Sequence, residues 1–209
     1  MAGQNRVQWV YSSRDNRELE ERYDQWSKDY DSDLSREFDY QSPRRAAEIF
    51  VGHVPRSARI LDAGAGTGLV GVILASMGYQ RMVAMDLSQG MLEEARRKGV
   101  YESFHQMVMG ETLDYESDSF DAVITVGVLT VGHAPAGSLD ELVRVTRPNG
   151  HIVFSLRPDV YENDGFREKQ DELESQGRWQ LVERTEEFQP MPKGEPEVMH
   201  RVWAYRVTA

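Results

Sequence analysis

Between Pro55 and Leu156 short apolar runs alternate with amphipathic helical stretches, and the first run ends in a glycine-rich turn. This alternation narrows the architecture more than any other feature. Strands separated by helices lie parallel, and the helices cover both faces of the sheet. Arg59 to Ala63 is a short apolar strand, and Leu69 to Met77 is a helix stopped by Gly78. Met82 to Met85 is a second strand ending at Asp86. Ser88 is placed to cap a helix running to Lys98, with Gly99 as its stop. Residues 104–109 form a weaker third strand, and Phe120 to Val126 a fourth. Ser138-x-x-Glu141 has the form of a capping box ahead of Leu142, Val143 and Val145. Pro148-Asn149-Gly150 is a turn, and His151 to Leu156 is a fifth strand.

The flanks differ in character. Phe166 to Gln176 is helical and stopped by Gly177. Trp179 to Phe188 and Val198 to Val207 are two longer strands around the segment from Pro190 to Pro196. No helix separates them, so they pair antiparallel. The expected fold class is therefore α/β: a Rossmann-like, doubly wound, seven-stranded sheet, mostly parallel, with one antiparallel strand near the edge. Ahead of it, Leu19, Tyr23, Trp26 and Tyr30 form one stripe on a helix from Arg17 to about Asp31. Ser42-Pro43 opens a second helix running to about Val51, with Ser as N-cap and Pro at the first helical position.

Composition removes several functional classes. Lys and Arg number 24 against 35 Asp and Glu, a formal charge of −11 over 209 residues. That balance argues against a binder of nucleic-acid backbone. The absence of cysteine excludes disulfides, thiol catalysis and cysteine-ligated zinc or iron–sulfur sites. No run of about 18 apolar residues could span a membrane. The first sixteen residues are polar and lack the apolar region of a secretory signal, so a cytoplasmic location is expected.

The chemistry is concentrated in Ile60-Leu61-Asp62-Ala63-Gly64-Ala65-Gly66-Thr67-Gly68. Glycines after a first strand let a ligand approach bare backbone. The dinucleotide fingerprint is G-x-G-x-x-G, whereas this turn is G-x-G-x-G with Leu at 69. No Gly-Lys-Ser/Thr phosphate loop is present. The ligand expected is nucleoside-like, without a pyrophosphate to cradle. Asp86, at the end of the second strand, is placed to accept ribose hydroxyls. A nicotinamide cofactor would use the same acid.

Taken together, D-A-G-A-G-T-G at 62–68, D-L-S-Q-G-M-L at 86–92, S-F-D-A-V at 119–123 and R-V-T-R-P-N-G-H at 144–151 resemble the class I S-adenosylmethionine-dependent methyltransferases, over about residues 17–157. Within that superfamily, Y-D-Q-W-S-K-D-Y-D at 23–31, Ser42-Pro43-Arg44 and the segment from Val126 through Gly132 are similar to the Williams–Beuren-region methyltransferase-like proteins. The resemblance implies one methyltransferase domain over 1–209: a helical lid over 1–55, a cofactor-binding half over 56–157, and a C-terminal helix with antiparallel strands over 158–209. It implies S-adenosyl-L-methionine as cofactor and S-adenosyl-L-homocysteine as product.

The resemblance also implies roles for matching positions. Gly64 and Gly66 would pass beneath the methionine and ribose portions, and Asp62 would orient the loop near the cofactor amine. Asp86 would hold the ribose, and Leu87 and Met91 would flank adenine. Glu111 and Thr112 would meet the adenine edge, although the family often has Gly-Asp where this chain has Gly110-Glu111. Val126 would offer a backbone carbonyl to the amine. Trp26, Tyr30 and Arg44 resemble a lid closing on the cofactor carboxylate.

The residues alone leave alternatives open. Tyr23, Trp26 and Tyr30 also fit the packed face of an amphipathic helix. Arg44 fits a solvated charge, Asp86 a helix-start carboxylate and Glu111 a surface acid. His133 is the candidate catalytic residue, as general base or in placing the cofactor carboxylate, with Tyr161 behind it; an idle loop histidine is the plain alternative. His53, His105, His151 and His200 read as surface or strand-end residues.

The function expected is methyl transfer to a small-molecule acceptor by in-line displacement at the methyl carbon. No N-P-P-Y or D-P-P-Y follows the fourth strand, which disfavours methylation of base amino groups. A protein side chain is the second acceptor class, and nucleic acid and membrane are disfavoured. A non-catalytic cofactor-binding partner protein and a nicotinamide oxidoreductase are the rival classes. Residues 127–137, 157–168 and 190–197 are expected on the acceptor side, beyond the carboxyl ends of the strands.

Overall fold

A computed structural model describes residues 5–208. Its strands are β1 (Arg59–Ala63), β2 (Arg81–Asp86), β3 (Ser103–Gln106), β4 (Phe120–Leu129), β5 (Thr146–Leu156), β6 (Trp179–Arg184) and β7 (Arg201–Val207). They form one sheet in the order β3-β2-β1-β4-β5-β7-β6. β1 to β5 pair parallel, and β7 runs antiparallel between β5 and β6. This is the expected Rossmann-like sheet. The order reverses between β1 and β4, so a crevice opens at their carboxyl ends, where α/β sheets bind ligands.

The helices are α1 (Arg6–Tyr11), α2 (Asn16–Asp33), α3 (Ser42–His53), α4 (Leu69–Ser76), α5 (Gln89–Arg97), α6 (Ser138–Val145), α7 (Pro158–Asn163) and α8 (Phe166–Ser175), with a π-helical turn over Leu34–Phe38. Alternate strand residues face opposite layers. Leu61, Val83, Val123 and Ile152 pack with Leu142 of α6 and Leu173 of α8. Ile60, Met82, Ile124 and Val153 pack with Phe50 of α3, Leu74 of α4 and Leu92 of α5. A third cluster joins Val7 and Val10 of α1 to Leu19 and Trp26 of α2 and to Phe38 and Met191.

Several local expectations are corrected. Ser138 and Glu141 do not form a capping box, and no side chain caps α6. Glu141 instead accepts the Leu113 amide at 2.8 Å and pairs with Arg144. Ser42 does not cap α3; its hydroxyl is 3.0 Å from His200 Nδ1. β4 runs three residues past Val126 to Leu129, although its regular pairing with β5 stops at Thr125. The positive φ of Gly127 (75°) bends the strand there. β6 ends at Arg184 and β7 starts at Arg201, so the last two strands are shorter than their sequence pattern. α1 and α7 are additions to the expected elements. Among the described residues no helix is long and apolar enough to cross a membrane.

Candidate active site

The site is built where β1 and β2 end side by side. The amides of Gly64 and Ala65 donate to the Met85 carbonyl at 2.7 and 2.9 Å, which ties the glycine-rich loop to the end of β2. The next residue of β2 is Asp86. Its Oδ2 accepts the Gly66 amide at 2.7 Å, and its Oδ1 accepts the Ser88 amide at 2.9 Å. Ser88 Oγ caps α5 through the Met91 amide, as its spacing predicts. Loop, acid and helix start are thus one hydrogen-bonded unit. Asp86 lines a neighbouring cleft, and a carboxylate can accept more hydrogen bonds than these two.

That cleft and the solvent space at its mouth together make about 630 Å³. Gly64, Gly66 and Asp86 form one wall. Leu87, Met91 and Met107 to Met109 make an apolar slot, with Val128 near the carboxyl end of β4 and His133 and Ala134 just beyond it. Leu19, Tyr23 and Tyr30 of α2 cover it.

α2 is fastened to this unit by two acids seven residues apart on one helix. Asp24 accepts Ser88 Oγ at 2.5 Å and the Gly90 amide at 2.8 Å. Asp31 accepts the Thr67 hydroxyl and pairs with Lys98 at 2.5 Å. Both acids lie within Y-D-Q-W-S-K-D-Y-D at 23–31, where neither is an expected site residue.

Beneath the loop lies Asp62, buried at 1% exposure. Its Oδ2 accepts the Tyr101 hydroxyl at 2.6 Å, and that hydroxyl in turn accepts the Gly71 amide at 3.1 Å. Oδ1 has no partner among the described residues. Burial pushes the Asp62 carboxyl up to about 7. Burial likewise pushes Asp86 up to about 6, opposed by the amides of Ser88 and Gly66.

The raised Asp86 value makes a testable pH dependence. An ordinary aspartate ionises near 4. In the folded protein the stability linked to the protonated acid is present below that value and is lost as pH rises through about 6. A ligand whose hydroxyls donate to the ionised carboxylate gains affinity over the same window. Calorimetric affinity for S-adenosylhomocysteine is expected to rise about tenfold from pH 5 to pH 7 and then level off. Asp86→Asn should flatten the profile.

The expected site residues divide into two groups. Gly64, Gly66, Asp86, Leu87, Met91, Tyr30 and His133 line the cleft together. The others do not. Trp26 is buried, donates from Nε1 to Asp33 Oδ2 at 2.8 Å, and faces a second cavity. Arg44 is mostly exposed and pairs with Glu48 along α3. Glu111 and Thr112 are exposed beyond the cleft, because the chain after β3 presents Met107, Val108 and Met109 to it instead. Val126 packs against the opposite core layer, and the bend at Gly127 brings Val128 to the cleft. Asp62 supports the loop from below and does not line it. Of the segments expected on the acceptor side, 127–137 contributes to the cleft, 190–197 contributes Met191 to the second cavity, and 157–168 contributes to neither.

His133 is not free. Its Nδ1 lies 2.9 Å from the Val131 carbonyl, which fixes the proton on Nδ1, so Nε2 accepts the Tyr23 hydroxyl at 2.8 Å. Burial lowers the His133 pKa and raises that of Tyr23. The pair is therefore neutral.

Comparison with known proteins points the same way as this geometry. Residues 61–154 match a family described as a methyltransferase domain. Human methyltransferase-like protein 27 is 34% identical over 165 residues, covering 76% of this chain and 66% of that protein. The demethylmenaquinone methyltransferase of Clavibacter sepedonicus is 44% identical over 114 residues, covering 52% of this chain and 46% of that protein. The chain thus spans about half to two thirds of the length of these relatives. Among solved structures, an S-adenosylmethionine-dependent methyltransferase from Listeria monocytogenes, described as putative, superposes with a TM-score of 0.61 at 16% identity, over 79% of this chain and 100% of that one.

Proposed function

We propose that this chain, which belongs to the class I S-adenosylmethionine-dependent methyltransferases, moves a methyl group from S-adenosylmethionine to a small-molecule acceptor. One observation carries this assignment: Asp86 is locked onto the Gly66 amide at the mouth of an apolar slot. The residues present fit the cofactor. An added Cβ at Gly66 would meet nothing within 4 Å, so the loop offers open backbone to a ligand.

Asp86 would hold the ribose hydroxyls. Leu87, Met91 and the Met107–Met109 segment would enclose the adenine, and Gly64 and Tyr30 would border the methionine end. The bound sulfonium supplies an electrophilic methyl group, so the protein's task is alignment and exclusion of water. The helical lid, α1 to α3, would perform the second through the Asp24 and Asp31 contacts. A small acceptor is favoured because α2 roofs the cleft and no Lys or Arg lines it. The demethylmenaquinone methyltransferase name also belongs to a small-molecule enzyme.

His133 serves here as a positioning residue that holds Tyr23. His133→Gln is expected to lower kcat less than tenfold. Loss of a general base would lower it about 10²- to 10⁴-fold, and a drop of that size would restore His133 to the catalytic role.

The assignment is tested by incubating the protein with S-adenosylmethionine and fractionated small-molecule extract, peptide or RNA. S-adenosylhomocysteine formation and the methylated product are followed by mass spectrometry. Turnover confined to the small-molecule fractions is expected. Cofactor binding without turnover in any fraction would support a non-catalytic binding protein, and turnover on peptide alone would move the acceptor to a protein side chain.

A further inference from the structure

The slot that would enclose the adenine ring is walled by Leu87, Met91 and Met107–Met109, and none of these side chains carries a strong hydrogen-bonding group. Glu111 and Thr112, which the resemblance sets at the edge of the base, are exposed beyond the cleft. The Glu111 amide donates to the Val108 carbonyl at 3.3 Å, and this tight turn through Gly110 (φ 102°) carries the chain away after Met109. Among the described residues that line the cleft, one carries a side-chain amide: Asn16, in the first turn of α2.

Three acids of α2 fix where Asn16 lies. Asp31 accepts the Thr67 hydroxyl just after β1, and Asp24 accepts the Ser88 hydroxyl just after β2. Glu20 accepts Gln106 Nε2 at the end of β3, at 2.8 Å. Followed from Asp31 back to Glu20, α2 thus crosses the carboxyl ends of β1, β2 and β3 in turn. Asn16 is one helical turn, about 5.4 Å, beyond Glu20, which brings it to the chain leaving β3, the Met107–Met109 segment. Its spacing puts it on one face with Leu19 and Tyr23, which cover the cleft. The fold makes no use of its amide. The side chain of Asn16 forms no hydrogen bond among the described residues, and Asp15 caps the helix through the Glu18 amide.

We propose that Asn16 reads the polar edge of the cofactor's adenine, so that in this protein the base is recognised from the lid and not from the loop after β3. The inference rests on the methyl-transfer assignment above and names the residue of that site that selects the base. A planar amide complements adenine: its oxygen accepts from the 6-amino group while its NH2 donates to a neighbouring ring nitrogen. The pairing also adds a tie between α2 and the bound ligand. A ligand that offers this edge steadies the lid more than one that lacks it, and the lid in turn retains that ligand by the same free energy.

The test compares S-adenosylhomocysteine with its 6-deamino analogue, which has hydrogen in place of the amino group, by calorimetry on the full chain. The native protein is expected to prefer S-adenosylhomocysteine about three- to tenfold. Asn16→Asp, which keeps an acceptor oxygen, should retain the preference. Asn16→Leu should bring the ratio close to one. Both variants should keep the native denaturation midpoint, because the Asn16 amide holds nothing in the fold. Hydrogen exchange gives a second reading: S-adenosylhomocysteine should slow exchange of the α2 amides more than the analogue does in the native protein, and equally in Asn16→Leu. A native ratio near one, or a native ratio retained in folded Asn16→Leu, overturns the proposal and leaves the methyl-transfer assignment standing. Failure of the native protein to bind S-adenosylhomocysteine at all would remove that assignment and this proposal with it.

Discussion

Asp86→Ala is expected to weaken S-adenosylhomocysteine binding by at least tenfold and toward a hundredfold, with no loss of folded protein. Hydrogen bonds to a charged group are worth about 1.5–3 kcal/mol each, and each 1.4 kcal/mol is about a factor of ten. The same substitution does not cost the fold a matching amount. The Asp86 pKa stands at about 6, above that of a free aspartate, so holding the ionised carboxylate in place is a net expense to the empty protein near neutral pH. The amides of Gly66 and Ser88 lose an acceptor; Gly66 lines the cleft, whereas Ser88 is fully buried, so the second loss takes back part of that gain. Calorimetry paired with a denaturation midpoint separates the two quantities. Unchanged affinity in a folded variant would contradict the site assignment.

The two glycines of the loop should respond differently to the same substitution. Both have positive φ, 79° at Gly64 and 54° at Gly66, where a side chain costs about 1–2 kcal/mol. A Cβ at Gly64 would lie 2.1 Å from Val128 Cγ2, and this β-branched side chain has little freedom to retreat. Overpacking adds about 1–3 kcal/mol, so Gly64→Ala should lose about 2–5 kcal/mol of stability and bind S-adenosylhomocysteine poorly. A Cβ at Gly66 would meet nothing within 4 Å. Gly66→Ala should therefore lose only the conformational part, about 1–2 kcal/mol, yet still impair binding because the methyl group enters ligand space. Equal losses of stability in the two variants would mean that the Gly64–Val128 contact does not constrain the loop.

Local sequence was most informative where structure is decided locally. The cap of Ser88, the stops at Gly78, Gly99 and Gly177, and Asp86 at the end of β2 all follow from spacing, and the structure places them accordingly. The mostly parallel sheet followed from the order of the elements. Features set by distant partners were not legible. Glu141 has the right spacing for a capping box, but the Leu113 amide and Arg144 compete for it and prevail. His200 resembles a strand-end residue until α3 and the Pro190–Pro196 segment fold over it. α1 is six residues long and buries Val7 and Val10, too short for a helical period to stand out. The resemblance sets Glu111 and Thr112 at the adenine edge, whereas the cleft is reached first by the methionines that precede them. Asp24 and Asp31 lie among many other charges of α2, and only their distances to Ser88, Gly90 and Lys98 distinguish them.

The most direct test of the whole account is parallel calorimetric titration of the protein with S-adenosylmethionine, S-adenosylhomocysteine and NADH. The Asp86–Gly66 unit beside an apolar slot, with no turn for a pyrophosphate, predicts saturable binding of the two adenosyl ligands and none of NADH. Binding of NADH, or failure of both adenosyl ligands to bind the folded chain, would contradict it.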